Sequence, residues 1–176
     1  MAANMAAHHL HLLRHAKAAS DDGVEDDQRP LNRRGREEAR RVGETLPAAL
    51  GALDLVLCSA AVRTRETAEL VLAHFATPPR MLFEQGLYLA GRAALMRRLR
   101  RLDEADGTIL LIGHNPGLHE LALALAAIDS PGYPALAAGK FPTAVRASFM
   151  ITSAWENLDQ SRHAMTGYMT PKSLHG

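Results

Sequence analysis

Two runs, Leu53-Asp54-Leu55-Val56-Leu57 and Ile109-Leu110-Leu111-Ile112, are nearly unbroken in apolar side chains, and they constrain the fold more than any other feature. A strand with one wet face alternates apolar and polar residues. A continuous run therefore predicts a strand covered on both faces, as in a parallel sheet between two layers of helices. Helical patterns follow such runs in succession: His9 to Leu13 then Arg34 to Leu50, Leu53 to Cys58 then Val62 to Phe75, Thr108 to Ile112 then Pro116 to Ile128. The chain reads as α/β, a three-layer α/β/α sandwich around a mostly parallel central sheet. Arg80 to Phe83 and Val145 to Thr152 add two strands, and Ala93 to Leu102 a helix with Leu95, Leu99 and Leu102 at helical spacing. The acidic segment Ser20 to Gln28 and the Pro- and Gly-containing segment Ser130 to Pro142 read as loops. Neither is long enough to divide residues 1–176 into more than a single domain.

At 176 residues and 47% apolar content the chain can bury one sizeable core. Twenty Lys+Arg against nineteen Asp+Glu leave a net charge of +1. No global field then favours nucleic acid or an anionic membrane, and any anion site must be local. Cys58 is the only cysteine, which excludes an internal disulfide and a multi-thiolate metal site. The start MAANMAAHHLHLL lacks a basic leading segment and a long apolar run. The expected compartment is the reducing cytoplasm, and no stretch is long and apolar enough to span a bilayer.

Ligands of open α/β sheets gather beyond the carboxyl ends of the strands. Three strand ends carry informative residues: Leu13-Arg14-His15-Ala16-Lys17, Cys58-Ser59-Ala60-Ala61-Val62-Arg63 and Gly113-His114-Asn115-Pro116-Gly117. Asn115 suits a helix N-cap and Pro116 the first helical position, so His114 is expected at a helix mouth where free N–H groups favour an anion. Ser59, ahead of another helix, reads as a cap. Phosphate fits two arginines best, because a guanidinium holds its oxygens in forked bonds and opposes the charge of a phosphoryl group in transfer. His15 is then the candidate nucleophile, kept neutral by nearby cations, with Arg14 and Arg63 binding oxygens and His114 helping to bind or polarise the group.

Each of these residues also has an ordinary explanation, since a lone histidine is more often a hydrogen-bonded surface or core group than a catalyst. His8, His9 and His11 read as structural, because strand alternation separates His8 from the other two. His119 lacks the HExxH pattern of a zinc site. A cysteine phosphatase is disfavoured: only four residues separate Cys58 from Arg63, and none is glycine. Cys58 instead suits a small core residue. Lys17, Arg29 and Asn115 lie near the motifs but are accounted for by solvation or capping.

The chain resembles the histidine phosphatase (phosphoglycerate mutase-like) superfamily and, within it, the small SixA-type phosphohistidine phosphatases. The resemblance rests on Leu12-Leu13-Arg14-His15-Ala16-Lys17-Ala18, Arg29-Pro30-Leu31 with Arg34-Gly35-Arg36, Ser59 with Arg63 and Glu66-Thr67-Ala68, Ile112-Gly113-His114-Asn115-Pro116-Gly117, Phe141-Pro142-Thr143-Ala144 and Thr170-Pro171-Lys172. It implies a phosphoglycerate mutase-like fold, phosphoryl transfer to His15, oxygen binding by Arg14 and Arg63, a pocket completed by His114, and no metal or other cofactor. Many superfamily members have glycine where Ala16 stands, and alanine there is familiar in the SixA-type branch. Larger relatives that cleave phosphate esters carry an acidic proton donor, and Glu84 lies near its place. The implied substrate is a phosphorylated protein bearing phosphohistidine. A small phosphorylated molecule, and a catalytically silent module that binds phosphoproteins, remain as alternatives.

Overall fold

The structure, a computed structural model, describes residues 6–20 and 22–175. Residues 1–5 of the leading segment, Asp21 of the acidic loop and Gly176 lie outside them. Six strands form one sheet: β1 (His8–Arg14), β2 (Leu55–Ser59), β3 (Arg80–Glu84), β4 (Thr108–Gly113), β5 (Arg146–Ile151) and β6 (Ala164–Met169). Their order is β3-β2-β4-β1-β5-β6. The β3-β2, β2-β4 and β4-β1 pairs are parallel, and β5 is antiparallel to both its neighbours. This is the mostly parallel α/β sandwich of the phosphoglycerate mutase-like fold.

The unbroken apolar runs are explained by burial on both faces. Leu55 and Leu57 of β2 join one core cluster and Val56 and Cys58 the other. The second cluster packs against α1 (Arg33–Leu50) and α2 (Val62–Leu72). The first packs against α3 (Arg92–Leu99), α4 (Gly117–Leu125) and α5 (Tyr133–Ala138). In α1 the buried residues Gly35, Ala39, Val42, Gly43 and Leu46 recur at helical spacing, and Asn32 caps the helix by accepting from Gly35 N at 2.8 Å. No helix among the described residues is long and apolar enough to cross a membrane.

Two elements depart from the expectation. The segment expected to be a loop over 130–142 contains α5, and β6 completes the sheet edge beyond β5. At the third strand end Asn115 does not cap. Its Nδ2 donates to Lys140 O (3.1 Å) and Phe141 O (2.9 Å), the Asn115–Pro116 peptide is cis, and α4 begins at Gly117. Asn115 thus ties the active end of β4 to the 140–141 loop.

Gly35 and Gly117 show why the motifs contain glycine. A Cβ on Gly35 would lie 2.1 Å from Lys17 O, and one on Gly117 2.0 Å from Ala90 O. Both contacts are backbone, which cannot swing aside. In an ordinary helix Gly→Ala stabilises by about 1 kcal/mol. Gly35→Ala is expected to do the opposite, destabilising by about 3 kcal/mol through displacement of the chain after β1. Urea denaturation reads the sign directly, and a stabilised variant would show that the contact is not tight.

Candidate active site

The strand ends bring Arg14, His15, Arg63 and His114 together at the carboxyl edge of β1, β2 and β4. His15 is pinned through its backbone: its N–H donates to Gly113 O and its carbonyl accepts from Ala144 N, each at 3.1 Å. Its imidazole is only 8% exposed. Nδ1 lies 2.7 Å from Ala16 O, and a carbonyl only accepts, so Nδ1 carries the ring proton and Nε2 keeps the free lone pair. Burial pushes the His15 pKa down to about 3, opposed by the Ala16 bond and helped by His114, Arg63 and Arg14. The neutrality expected from nearby cations is present, but desolvation is its largest cause.

His114 lies with its ring 5.3 Å from that of His15. Its Nε2 is 2.8 Å from Ser59 Oγ, and Tyr88 meets its ring edge-on at 5.5 Å. Burial, then Arg63, lowers its pKa to about 4. Ser59 therefore holds His114, while α2 itself starts after Ala61 with no side-chain cap. Arg14 donates to Phe141 O at 3.0 Å. Its pKa is lowered by burial and by Arg63, the mark of two cations held close together. Arg14 Nε, Arg63 Nε and His114 Nδ1 are buried without a hydrogen-bond partner among the described residues. The two guanidinium N–H groups are donors suited to an oxyanion.

Asp26 and Tyr88 are the site residues that sequence reasoning missed. Arg63 donates from Nη1 to Asp26 O (2.6 Å) and from Nη2 to Asp26 Oδ2 (3.0 Å), and the Tyr88 hydroxyl bonds the same carboxylate oxygen. The Tyr88 bond, then Arg63 and Arg29, hold Asp26 down at about 2, so it is ionised. Two further motif residues act on the backbone. Thr67 Oγ1 accepts from Ala16 N at 3.0 Å and donates to Arg63 O at 2.7 Å, and Glu66 accepts from Leu31 N at 2.6 Å. Thr67 thus couples the loop carrying His15 to the helix carrying Arg63.

Glu84, the sequence candidate for a proton donor, ends β3 with its carboxylate forked on Arg98 through three bonds of 2.7–3.1 Å. No hydrogen bond joins it to Arg14, His15, Arg63 or His114. Cys58 is buried, with its thiol pushed up to about 12 by burial, so it is no thiolate nucleophile. His8 is used by Trp155 stacking and Glu104, and His119 by Leu136 O and Phe141.

Three buried histidines, His11, His15 and His114, have pKa values of about 3, 3 and 4. Each lies below the ordinary 6.5, so the unfolded chain binds more protons as the pH falls. Their contribution to stability is complete above pH 6.5 and is lost on acidification towards the folded values, by about 2 kcal/mol apiece at pH 5. The thermal midpoint is therefore expected to fall between pH 7 and pH 5. A flat midpoint over that range would mean that these imidazoles are not held neutral by the fold.

The family model of the histidine phosphatase superfamily (branch 1) matches residues 10–84. An uncharacterized protein of Mycobacterium tuberculosis is 35% identical over 164 residues, covering 91% of this chain and 100% of that protein. A proposed phosphohistidine phosphatase SixA from Nakamurella multipartitia is 27% identical, with a TM-score of 0.83 over 96% of this chain and 99% of its own. A second proposed SixA, from Agrobacterium tumefaciens, is 26% identical, with a TM-score of 0.78 over 93% and 98%. On its fold, its matched sequence and these relatives, the chain belongs to the histidine phosphatase superfamily and is of the SixA type.

Proposed function

We propose that the chain is a metal-independent phosphatase that transfers a phosphoryl group to His15 Nε2 and then to water, with protein-borne phosphohistidine as its substrate. The observation that carries this reading is the pinned tautomer: Nδ1 is committed to Ala16 O, and the neutral Nε2 belongs to a cluster with Arg14 and Arg63. Nε2 forms a bond to phosphorus as the bond to the leaving group breaks and its electron pair departs with that group. Arg14 and Arg63 bind the equatorial oxygens and oppose their charge, and His114 completes the pocket. Water then attacks phosphorus, inorganic phosphate leaves, and His15 returns to its neutral form.

The substrate class follows from the acids. An alkoxide leaves poorly without a proton, and general acid catalysis contributes about 10²–10⁴-fold. Asp26 is ionised and holds Arg63, and Glu84 is forked on Arg98. Neither is a ready donor, which favours a leaving group that needs little help, such as imidazole. Val24 and Leu89, next to the Asp26 and Tyr88 segments, are exposed apolar residues on which a protein-borne substrate can rest.

Phosphate release without added metal, from a phosphohistidine-bearing protein and from a sugar phosphate, tests the reading. The expected kcat/KM ratio is about 10² or more in favour of phosphohistidine, and Glu84→Gln is expected to change neither rate. Faster turnover of the sugar phosphate would make this a broad small-molecule phosphatase, and turnover of that ester lost in Glu84→Gln would restore Glu84 as its donor. Phosphate binding without any turnover would make it a binding module.

A further inference from the structure

On the α1 side of the sheet, the end of α1 leaves a cleft of about 420 Å³ over β1, β5 and β6. Its lining includes His9, His11, Leu50, Arg146, Ser148 and Gly167, and none of Arg14, His15, Arg63 and His114. Arg146 is only 9% exposed, and it forms no ion pair with a carboxylate among the described residues. A nearly buried guanidinium without a counter-charge is costly unless something else compensates it.

The local hydrogen bonds fix what that compensation must be. Arg146 Nη1 bonds Ser148 Oγ, and Ser148 Oγ lies 2.7 Å from His11 Nδ1. A guanidinium only donates, so the serine oxygen accepts from Arg146; its second lone pair lets it either give its proton to His11 Nδ1 or accept from it. With an anion in the cleft the first arrangement is favoured, because it leaves the ring N–H of His11 on Nε2. The ring is neutral, its pKa lowered to about 3 by burial, then by Arg146 and His9. His11 Nε2 and Arg146 Nε are both buried without a hydrogen-bond partner among the described residues.

The buried positive charge of Arg146, with no carboxylate beside it among the described residues, calls for an acceptor that is an anion. With Nη1 engaged by Ser148, Arg146 keeps the edge formed by Nε and Nη2, whose parallel N–H bonds match two oxygens of one oxyanion. Gly167 on β6 helps, since a Cβ there would stand 3.5 Å from Nη1 and a longer side chain would cover the guanidinium. We infer that the cleft between the end of α1 and the β1–β5–β6 strip is a binding site for a small oxyanion, held by Arg146 and His11 and separate from the His15 pocket.

The test follows the His11 imidazole resonances of the full chain, assigned with His11→Gln, during titration with acetate and, separately, with inorganic phosphate. A saturable shift of His11 with either anion is expected, and Arg146→Gln should weaken it about tenfold or more. Arg63→Gln, which disables the other pocket, should leave it in place. Arg146→Lys keeps the charge while losing the fork, so it should weaken binding in a chain that folds even if the glutamine variant does not. The site is overturned if neither anion moves His11, if the shift persists unchanged in both Arg146 variants, or if it disappears in Arg63→Gln. Because His11 reports binding, failure of the phosphatase reading would leave this result standing, and the reverse holds as well.

Discussion

His15→Ala is expected to lower phosphate release by about 10⁴-fold or more, the scale seen when a covalent nucleophile is removed, while inorganic phosphate affinity stays within about tenfold because both arginines remain. The two readouts separate because His15 offers phosphate only a lone pair, whereas Arg14 and Arg63 offer charge and N–H donors. The imidazole is nearly buried and makes one side-chain hydrogen bond, to its neighbour Ala16. Its loss leaves a small gap without an orphaned charge, so the variant should remain folded. Turnover that survives in His15→Ala would move the chemistry to another group.

Arg63→Gln is the second large effect, an expected loss of about 10³-fold in kcat/KM. That is the size of two charge-assisted bonds at about 2 kcal/mol each. Arg63→Lys should recover little, because an ammonium keeps the charge but cannot fork across two oxygens. Stability should fall as well, but modestly: Arg63 is 2% exposed and its loss breaks two hydrogen bonds to Asp26, partly offset by relief of its repulsion with Arg14. Steady-state kinetics beside thermal unfolding would show a folded, nearly inactive chain with a somewhat lowered midpoint. A folded variant that keeps its turnover would contradict the binding role of Arg63.

The parts of this site legible in the sequence were those fixed by strand ends. β1, β2 and β4 announce themselves because both faces are covered, and Arg14, His15 and His114 follow directly from where those strands stop. β6 does not announce itself: Ala164-Met165-Thr166-Gly167-Tyr168-Met169 is an edge strand, mostly half-exposed and interrupted by glycine. α5 is hidden for a related reason, since Pro131, Gly132, Pro134 and Gly139 punctuate six helical residues.

Asp26 was obscured by its company. Among the acidic residues of its segment nothing local distinguishes it, and its role depends on Arg63, 37 residues away, and Tyr88, 62 away. The available signal was its i,i+3 spacing to Arg29, with which it pairs at 3.0 Å just ahead of the Arg29-Pro30-Leu31 motif. Glu84 matches the proton donor only by its order along the chain, and order does not reveal that Arg98, in the last turn of α3, claims the carboxylate. Asn115 and Ser59 satisfy the local rules for caps, yet tertiary partners outbid those rules, Lys140 and Phe141 in one case and His114 in the other.

The central claim is a covalent phosphohistidine at His15, and rapid acid-free quenching of the enzyme with a phosphorus-labelled phosphohistidine protein tests it most directly. The expected label is on the peptide containing His15, stable to alkali, lost in acid, and absent from His15→Ala. Turnover with no such label, or a label on another residue, would contradict the account.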